Sequence, residues 1–125
     1  MEILKRDIDI YYQTWGEKEK PRLAIQIFHG MSEHISRYED FAEFLGNYGI
    51  LVYGMDIRGH GSTGANSSSL GYFADDNGWN IVLDDQKSLH DLFKTKYTYI
   101  PFCLMGHSMG SYFARHYMSK YPNDF

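Results

Sequence analysis

One serine lies in a pattern that is typical of a nucleophile. Ser108 is the centre of GHSMG, which has the form Gly-x-Ser-x-Gly and lies between an apolar run and a stretch with a helical period. Glycines on both sides of a serine allow a tight turn from strand to helix, which lifts the hydroxyl clear of the sheet at a helix N-terminus that favours negative charge. We therefore predict that Ser108 is a nucleophile, with a serine in an ordinary turn as the alternative.

The loop after the first central strand supplies a second part of the same chemistry. A serine that attacks a carbonyl group needs N–H donors for the oxyanion that develops, usually one after the nucleophile and one from this loop. In IFHGMSEH, Gly30 permits an unusual backbone conformation and Met31 is placed to offer its N–H. We predict that Met31 and Met109 are the two oxyanion donors. The residues expected to border the site are His29, Gly30 and His107.

His29 also has to be considered as a base and as a metal ligand. We expect it instead to hold the oxyanion loop by hydrogen bonds. His29, Glu33 and His34 do not have the His-Glu-x-x-His spacing of a zinc site, and their segment starts as a loop. We therefore expect no metal ion.

A glycine-rich segment after the second central strand resembles a nucleotide-binding motif. GHGSTG at 59–64 has the form Gly-x-Gly-x-x-Gly, which requires a helix to begin within it. The residues that follow, ANSSSLG, are polar and helix-poor, so we predict a loop over 58–78 and no cofactor. The glycine turn should be braced by Asp56, Arg58 and His60.

The elements that must position these residues alternate between strand and helix. Apolar or alternating runs predict strands at 7–15, 23–28, 50–57 and 99–106. Helical periods predict helices at 36–48, 79–93 and 109–117. With two leading strands, this order predicts an α/β domain that has a mostly parallel sheet, right-handed crossovers and flanking helices.

Several single residues carry further expectations. Ser36 is a candidate helix cap, with Glu39 three residues later. Residues 84–86, Asp-Asp-Gln, should lie on the solvent face of their helix, and Cys103 should be a small buried apolar residue.

Composition and charge disfavour several classes of partner. The 125 residues include 12 basic and 16 acidic side chains, for a net charge of −4, without a basic cluster. Binding to nucleic acid or to an anionic membrane is therefore not expected. Neither a run of eighteen apolar residues nor an apolar signal region is found, so we expect no stable membrane insertion and a cytoplasmic protein. The length suits a single modest domain.

Four ordered segments carry a resemblance to a known family: FHGMSEHISRYEDFAEFL, GMDIRGHGST, GYFADDNGW and LMGHSMGS. They resemble the α/β-hydrolase superfamily, and more narrowly its monoacylglycerol lipase and lysophospholipase branch, which is serine aminopeptidase S33-like. The resemblance implies an α/β-hydrolase fold and places Glu33, His34 and Arg37 around the site without a direct chemical role. It also implies that Ser108 is the nucleophile of a serine ester hydrolase, which acts without a cofactor on a small ester or lipid substrate through an acyl-serine intermediate.

Other activities use the same scaffold, because fold and nucleophile do not fix the substrate. A carboxylesterase, a thioesterase, an aminopeptidase and a non-catalytic truncated fragment are the alternatives.

The resemblance also predicts what residues 1–125 lack. In this family the acid and the histidine follow the serine along the chain. We therefore expect 1–125 to be the N-terminal portion of a single hydrolase domain, cut after the helix that follows Ser108, with the cap region, base and acid missing. The histidines not expected to act as the base are His60, His90, His107 and His116. Alone, the chain should be inert or nearly so, and the strand at 99–106 should expose an apolar edge that favours self-association.

Overall fold

A five-stranded mixed sheet forms the centre of the protein. The computed structural model describes residues 1–17 and 20–125; residues 18 and 19, which fall in the turn predicted by GEKEKP, lie outside the described residues. The strands are β1 (Glu2–Lys5), β2 (Asp9–Trp15), β3 (Leu23–Phe28), β4 (Ile50–Met55) and β5 (Phe102–Gly106). Their order in the sheet is β1-β2-β4-β3-β5. β3 pairs in parallel with β4 and β5, whereas β2 is antiparallel to both β4 and β1.

Helices connect these strands in the predicted alternation. The helices are α1 (Glu39–Gly46), α2 (Gly61–Asn66), α3 (Gly78–Lys96) and α4 (Met109–Lys120), and a 3₁₀ turn at Ile35–Tyr38 precedes α1. The predicted α/β class is confirmed. The parallel part of the sheet is limited to β3, β4 and β5, which are the strands joined by helices.

The two faces of the sheet are covered by different helices. Val52 of β4 packs with Ala42 of α1, whereas its neighbour Tyr53 packs with Leu89 and Phe93 of α3. Because successive residues of a strand point to opposite faces, α1 and α3 lie on opposite sides of the sheet. This layering leaves the carboxyl ends of β3, β4 and β5 at one edge, which is where the functional loops begin.

α3 buries two polar residues that were expected on its solvent face. Asp85 and Gln86 are 1% and 0% exposed. Asp85 Oδ2 accepts a hydrogen bond from Arg58 Nε at 2.6 Å, and Gln86 Oε1 accepts one from Gln26 Nε2 at 3.0 Å. The prediction for 84–86 is wrong at these two positions, because hydrogen bonds from residues distant in sequence offset much of the cost of burial, although Gln86 Nε2 has no partner among the described residues.

Two single-residue predictions are also wrong. Ser36 does not cap a helix: α1 begins at Glu39, and the Ser36 hydroxyl donates to Gln13 Oε1 at 2.6 Å. Cys103 is exposed, because β5 is the last strand of the sheet order.

Candidate active site

Ser108 lies in a strained turn between β5 and α4. Its backbone has φ 53° and ψ −120°, outside the regions that residues with a Cβ normally adopt, and the residue is exposed. A Cβ at Gly106 would lie 2.7 Å from Ser111 Cα, and one at Gly110 would lie 2.6 Å from the His29 carbonyl oxygen. Both approaches are too close for any side chain, so the turn needs both glycines.

His29 fixes the loop that follows β3. Its Nδ1 donates to the Gly30 carbonyl oxygen at 2.7 Å, and its Nε2 accepts from the Ile57 N–H at 2.9 Å, beyond the end of β4. His29 is 0% exposed, and burial lowers the pKa of its imidazole. Since both ring nitrogens are occupied, the geometry suits a structural brace and does not suit a base.

Glu33 is a buried carboxylate beside the site, and its central position was not predicted. Oε1 accepts from the Gly30 N–H and from the Tyr38 hydroxyl, both at 2.5 Å, while Oε2 accepts from Arg37 Nη1 at 2.5 Å. His107 Nδ1 lies 3.3 Å from Oε1. Burial alone would raise the pKa of Glu33, but these hydrogen bonds together lower it to about 2. The side chain is therefore anionic at neutral pH.

One predicted oxyanion donor directly follows Ser108, and the other lies in a loop that approaches the turn. Met109 is the first residue of α4, whose first N–H groups have no partner within the helix. The loop that carries Met31 touches the turn, since a Cβ at Gly30 would lie 3.2 Å from Ser108 Cβ. Within residues 1–17 and 20–125, neither the Met31 N–H nor the Met109 N–H donates a hydrogen bond.

A cavity of about 640 Å³ opens beside these donors. Its apolar wall is formed by Met31, Leu70, Phe73, Trp79 and Met109. Trp79 is held in place from α4: its ring stacks on Phe113 with centroids 3.8 Å apart, and its Nε1 donates to His116 Nδ1 at 2.9 Å. Such a wall suits an apolar group.

Comparison with known proteins identifies the family. A profile of the family described as serine aminopeptidase, S33, matches residues 19–125. The chain belongs to this family. It is 30% identical to the monoacylglycerol lipase of Mycolicibacterium smegmatis over 118 residues, which is 94% of this chain and 40% of that protein. It is 28% identical to the human monoglyceride lipase over 116 residues, which is 93% of this chain and 36% of that protein.

Solved structures show the same fold. A highly thermostable carboxyl esterase from Bacillus coagulans, in complex with glycerol, superposes with a TM-score of 0.89 at 26% identity over 100% of this chain and 40% of that one. The predicted α/β-hydrolase fold and the resemblance to the monoacylglycerol lipase branch are thereby confirmed. The chain spans about two fifths of the length of these relatives.

The glycine-rich segment of this S33 family member contains a short helix, contrary to the predicted loop. α2 begins at Gly61, inside the GHGSTG segment. The Asp56 carboxylate binds the N-terminus of α2, where its Oδ2 accepts from the Ser62 N–H at 2.7 Å. Its Oδ1 accepts from the Ile35 N–H, outside the helix, at 2.8 Å. A phosphate would need the same N–H groups and would meet a carboxylate there. This arrangement does not suit a dinucleotide.

No histidine in the described part of the chain contacts the Ser108 hydroxyl. Five of the six are engaged by other groups: His29 as above, His60 by the Arg58 carbonyl, His90 by the Tyr53 hydroxyl, His107 by Glu33 and His116 by Trp79. His34 is exposed and lines the cavity. The described residues therefore bring together a candidate nucleophile and two candidate N–H donors, without a histidine bound to the serine hydroxyl.

One cluster elsewhere has the composition of a metal site. Ligand atoms of His90, Asp91 and Asp124 lie within 4.8 Å of one another. Lys87 Nζ lies 2.7 Å from Asp91 Oδ1 and 3.0 Å from Asp124 Oδ2, so an ammonium group already pairs with both carboxylates. Separately, none of the helices in the described ranges combines the length and apolarity needed to cross a membrane.

Proposed function

We propose that residues 1–125 form the nucleophile-bearing part of a single α/β-hydrolase domain whose activity is hydrolysis of carboxylic esters, with monoacylglycerols or lysophospholipids as substrates. The observation that carries the proposal is the strained turn at Ser108, which stands beside two free N–H groups and an apolar cavity. The relatives named monoacylglycerol lipase and monoglyceride lipase support the substrate class.

The proposal gives roles to Ser108, Met31 and Met109. Ser108 Oγ attacks the acyl carbonyl carbon, and the N–H groups of Met31 and Met109 donate to the oxygen that becomes negative. Collapse of this intermediate expels the alcohol and leaves an acyl-serine, which water then hydrolyses. A histidine and an acidic residue from outside residues 1–125 would take and return the proton, because five of the six histidines are engaged by other groups and none in the described ranges binds the Ser108 hydroxyl.

A cysteine at position 108 tests the site without requiring that base. A thiolate is the reactive form of cysteine, and a helix N-terminus lowers its pKa. In a Cys103→Ser background, Ser108→Cys should be acylated by p-nitrophenyl butyrate with release of p-nitrophenolate. We expect acylation on the order of 10²-fold faster than for the same protein unfolded in urea, which is the effect of an oxyanion donor.

The matched control places the thiol at the third residue of the same helix. Ser111→Cys in the Cys103→Ser background keeps the helix N-terminus nearby but lies outside the turn. It should be acylated more slowly than the Ser108→Cys protein, because it shares the helix N-terminus but lacks the oxyanion donors. Equal rates for the folded and unfolded forms of the Ser108→Cys protein would refute the proposal.

Protection then tests the substrate class. A 1-monoacylglycerol should protect the thiol of the Ser108→Cys protein from iodoacetamide in proportion to its occupancy of the cavity, whereas glycerol should not. If neither the monoacylglycerol nor the matching lysophospholipid protects, the lipid assignment fails and a short-chain carboxylesterase becomes the better interpretation, in line with the likeness to the Bacillus coagulans esterase.

A further inference from the structure

We propose that Glu33 is a positioning residue that sets the distance between the two halves of the oxyanion hole, a role that rests on the proposed function. A single carboxylate oxygen contacts both halves. Glu33 Oε1 accepts from the N–H of Gly30, the residue before Met31, at 2.5 Å. The same oxygen lies 3.3 Å from Nδ1 of His107, two residues before Met109.

The two donors need such a link because they come from different elements. Met31 lies in the loop after β3, and Met109 begins α4 after β5. Besides the contact between Glu33 and His107, the described residues have one backbone hydrogen bond between the start of the loop and the turn, from the His107 N–H to the Phe28 carbonyl at 3.1 Å. That bond fixes the base of the loop, whereas Glu33 holds the part next to Met31.

Glu33 is itself held rigidly. The Tyr38 hydroxyl and Arg37 Nη1 bind its two oxygens at 2.5 Å each, and the residue is 8% exposed. A buried carboxylate with donors on both oxygens is fixed by charge-assisted hydrogen bonds, which are about twice as strong as neutral ones. These donors fix the carboxylate on the loop side, so the contact between its Oε1 and His107 Nδ1 at 3.3 Å must break if the loop moves away from the turn.

Because Glu33 is charged, a positioning role and a purely electrostatic role of this residue predict different results. A negative charge near the oxyanion hole disfavours a second negative charge there. If Glu33 acted only through its charge, removing that charge would speed formation of the oxyanion. A positioning role predicts the opposite sign, because Glu33→Gln cannot accept from every donor that now converges on the carboxylate.

Two reactions of the same thiol distinguish a loss of oxyanion stabilisation from a change in the accessibility of residue 108. In the Ser108→Cys, Cys103→Ser protein, acylation by p-nitrophenyl butyrate passes through an oxyanion, whereas alkylation by iodoacetamide displaces iodide and forms none. We expect Glu33→Gln to lower the acylation rate by about 10- to 100-fold, below the full loss of one donor, and to leave alkylation within about 2-fold. Glu43→Gln, on the exposed side of α1, should change neither rate.

A second pair of variants decides the matter if Glu33→Gln fails to fold. His107 is exposed, and His107→Leu removes only the link to the turn, whereas His107→Asn can restore a donor at a similar position. We expect the Leu variant to be acylated several-fold more slowly, with alkylation unchanged, and the Asn variant to recover.

Three results would overturn the inference: faster or unchanged acylation in Glu33→Gln, an equal fall in both reactions, or equal acylation of the His107→Leu and His107→Asn proteins. Failure of the proposed function has a different signature, since the parent Ser108→Cys protein would then react no faster than its unfolded form.

Discussion

Replacing Ser108 by glycine should stabilise the protein, which is unusual for a residue proposed to carry the chemistry. The backbone at φ 53° and ψ −120° lies where a Cβ is unfavourable. Such strain costs about 1–3 kcal/mol, and glycine would relieve it. Ser108→Ala keeps the Cβ and therefore the strain, so it is the proper reference.

The expected magnitude is smaller than the strain itself. Glycine gives the unfolded chain more conformational freedom, which offsets about 0.5–1 kcal/mol of the gain. Ser108→Gly should therefore exceed Ser108→Ala in unfolding free energy by about 0.5–2 kcal/mol. For a chain of this length the difference corresponds to about 2–8 °C in melting temperature.

The assay is thermal and urea unfolding, followed by circular dichroism at a single low protein concentration. Ser88, in the interior of α3, provides a control with the opposite sign. Its hydroxyl donates to the Asp84 carbonyl at 2.9 Å, and both Ser88→Gly and Ser88→Ala lose that bond equally. There alanine should be the more stable by about 0.5–1 kcal/mol. If alanine were also the more stable at position 108, the reasoning from backbone strain would be refuted.

Two other predictions concern the acid range and the sheet edge. Because the pKa of Glu33 is lowered from 4.5 to about 2 in the folded state, its stabilisation is present above pH 4.5 and is lost as the pH falls toward 2. Urea unfolding across this range should show a steeper loss for the parent protein than for Glu33→Gln, and parallel losses would contradict the assignment. At the edge strand β5, Cys103→Lys should raise the monomer fraction in sedimentation velocity, because a charge on an edge strand opposes pairing; the exposed Glu43→Lys is the control, and an unchanged distribution would argue against association through β5.

The sequence predicts the central strands and the three longer helices because their signals are local. Apolar runs of 23–28 and 50–57 give β3 and β4, and a helical period gives α3. α2 is different, because glycine and serine favour neither helix nor strand strongly. It forms through distant contacts: Thr63 Oγ1 accepts from the Tyr11 N–H at 2.9 Å, in addition to the Asp56 carboxylate at the helix N-terminus. A local pattern contains no information about such partners.

The residues of the candidate site differ in the same way, because some have a local sequence signal and others depend on distant contacts. Ser108 and the loop at Met31 can be recognised from the sequence, because the glycines that their backbone conformations need lie within the motifs themselves. Glu33 is harder to recognise: its link to Arg37 spans four residues, but its contact with His107 spans seventy-four. The carboxylate matters only once the fold has brought β3 and β5 side by side, with Phe28 paired to Gly106. Motifs therefore identify the atoms proposed to react, whereas the groups that hold them at the required distance emerge from the register of the sheet.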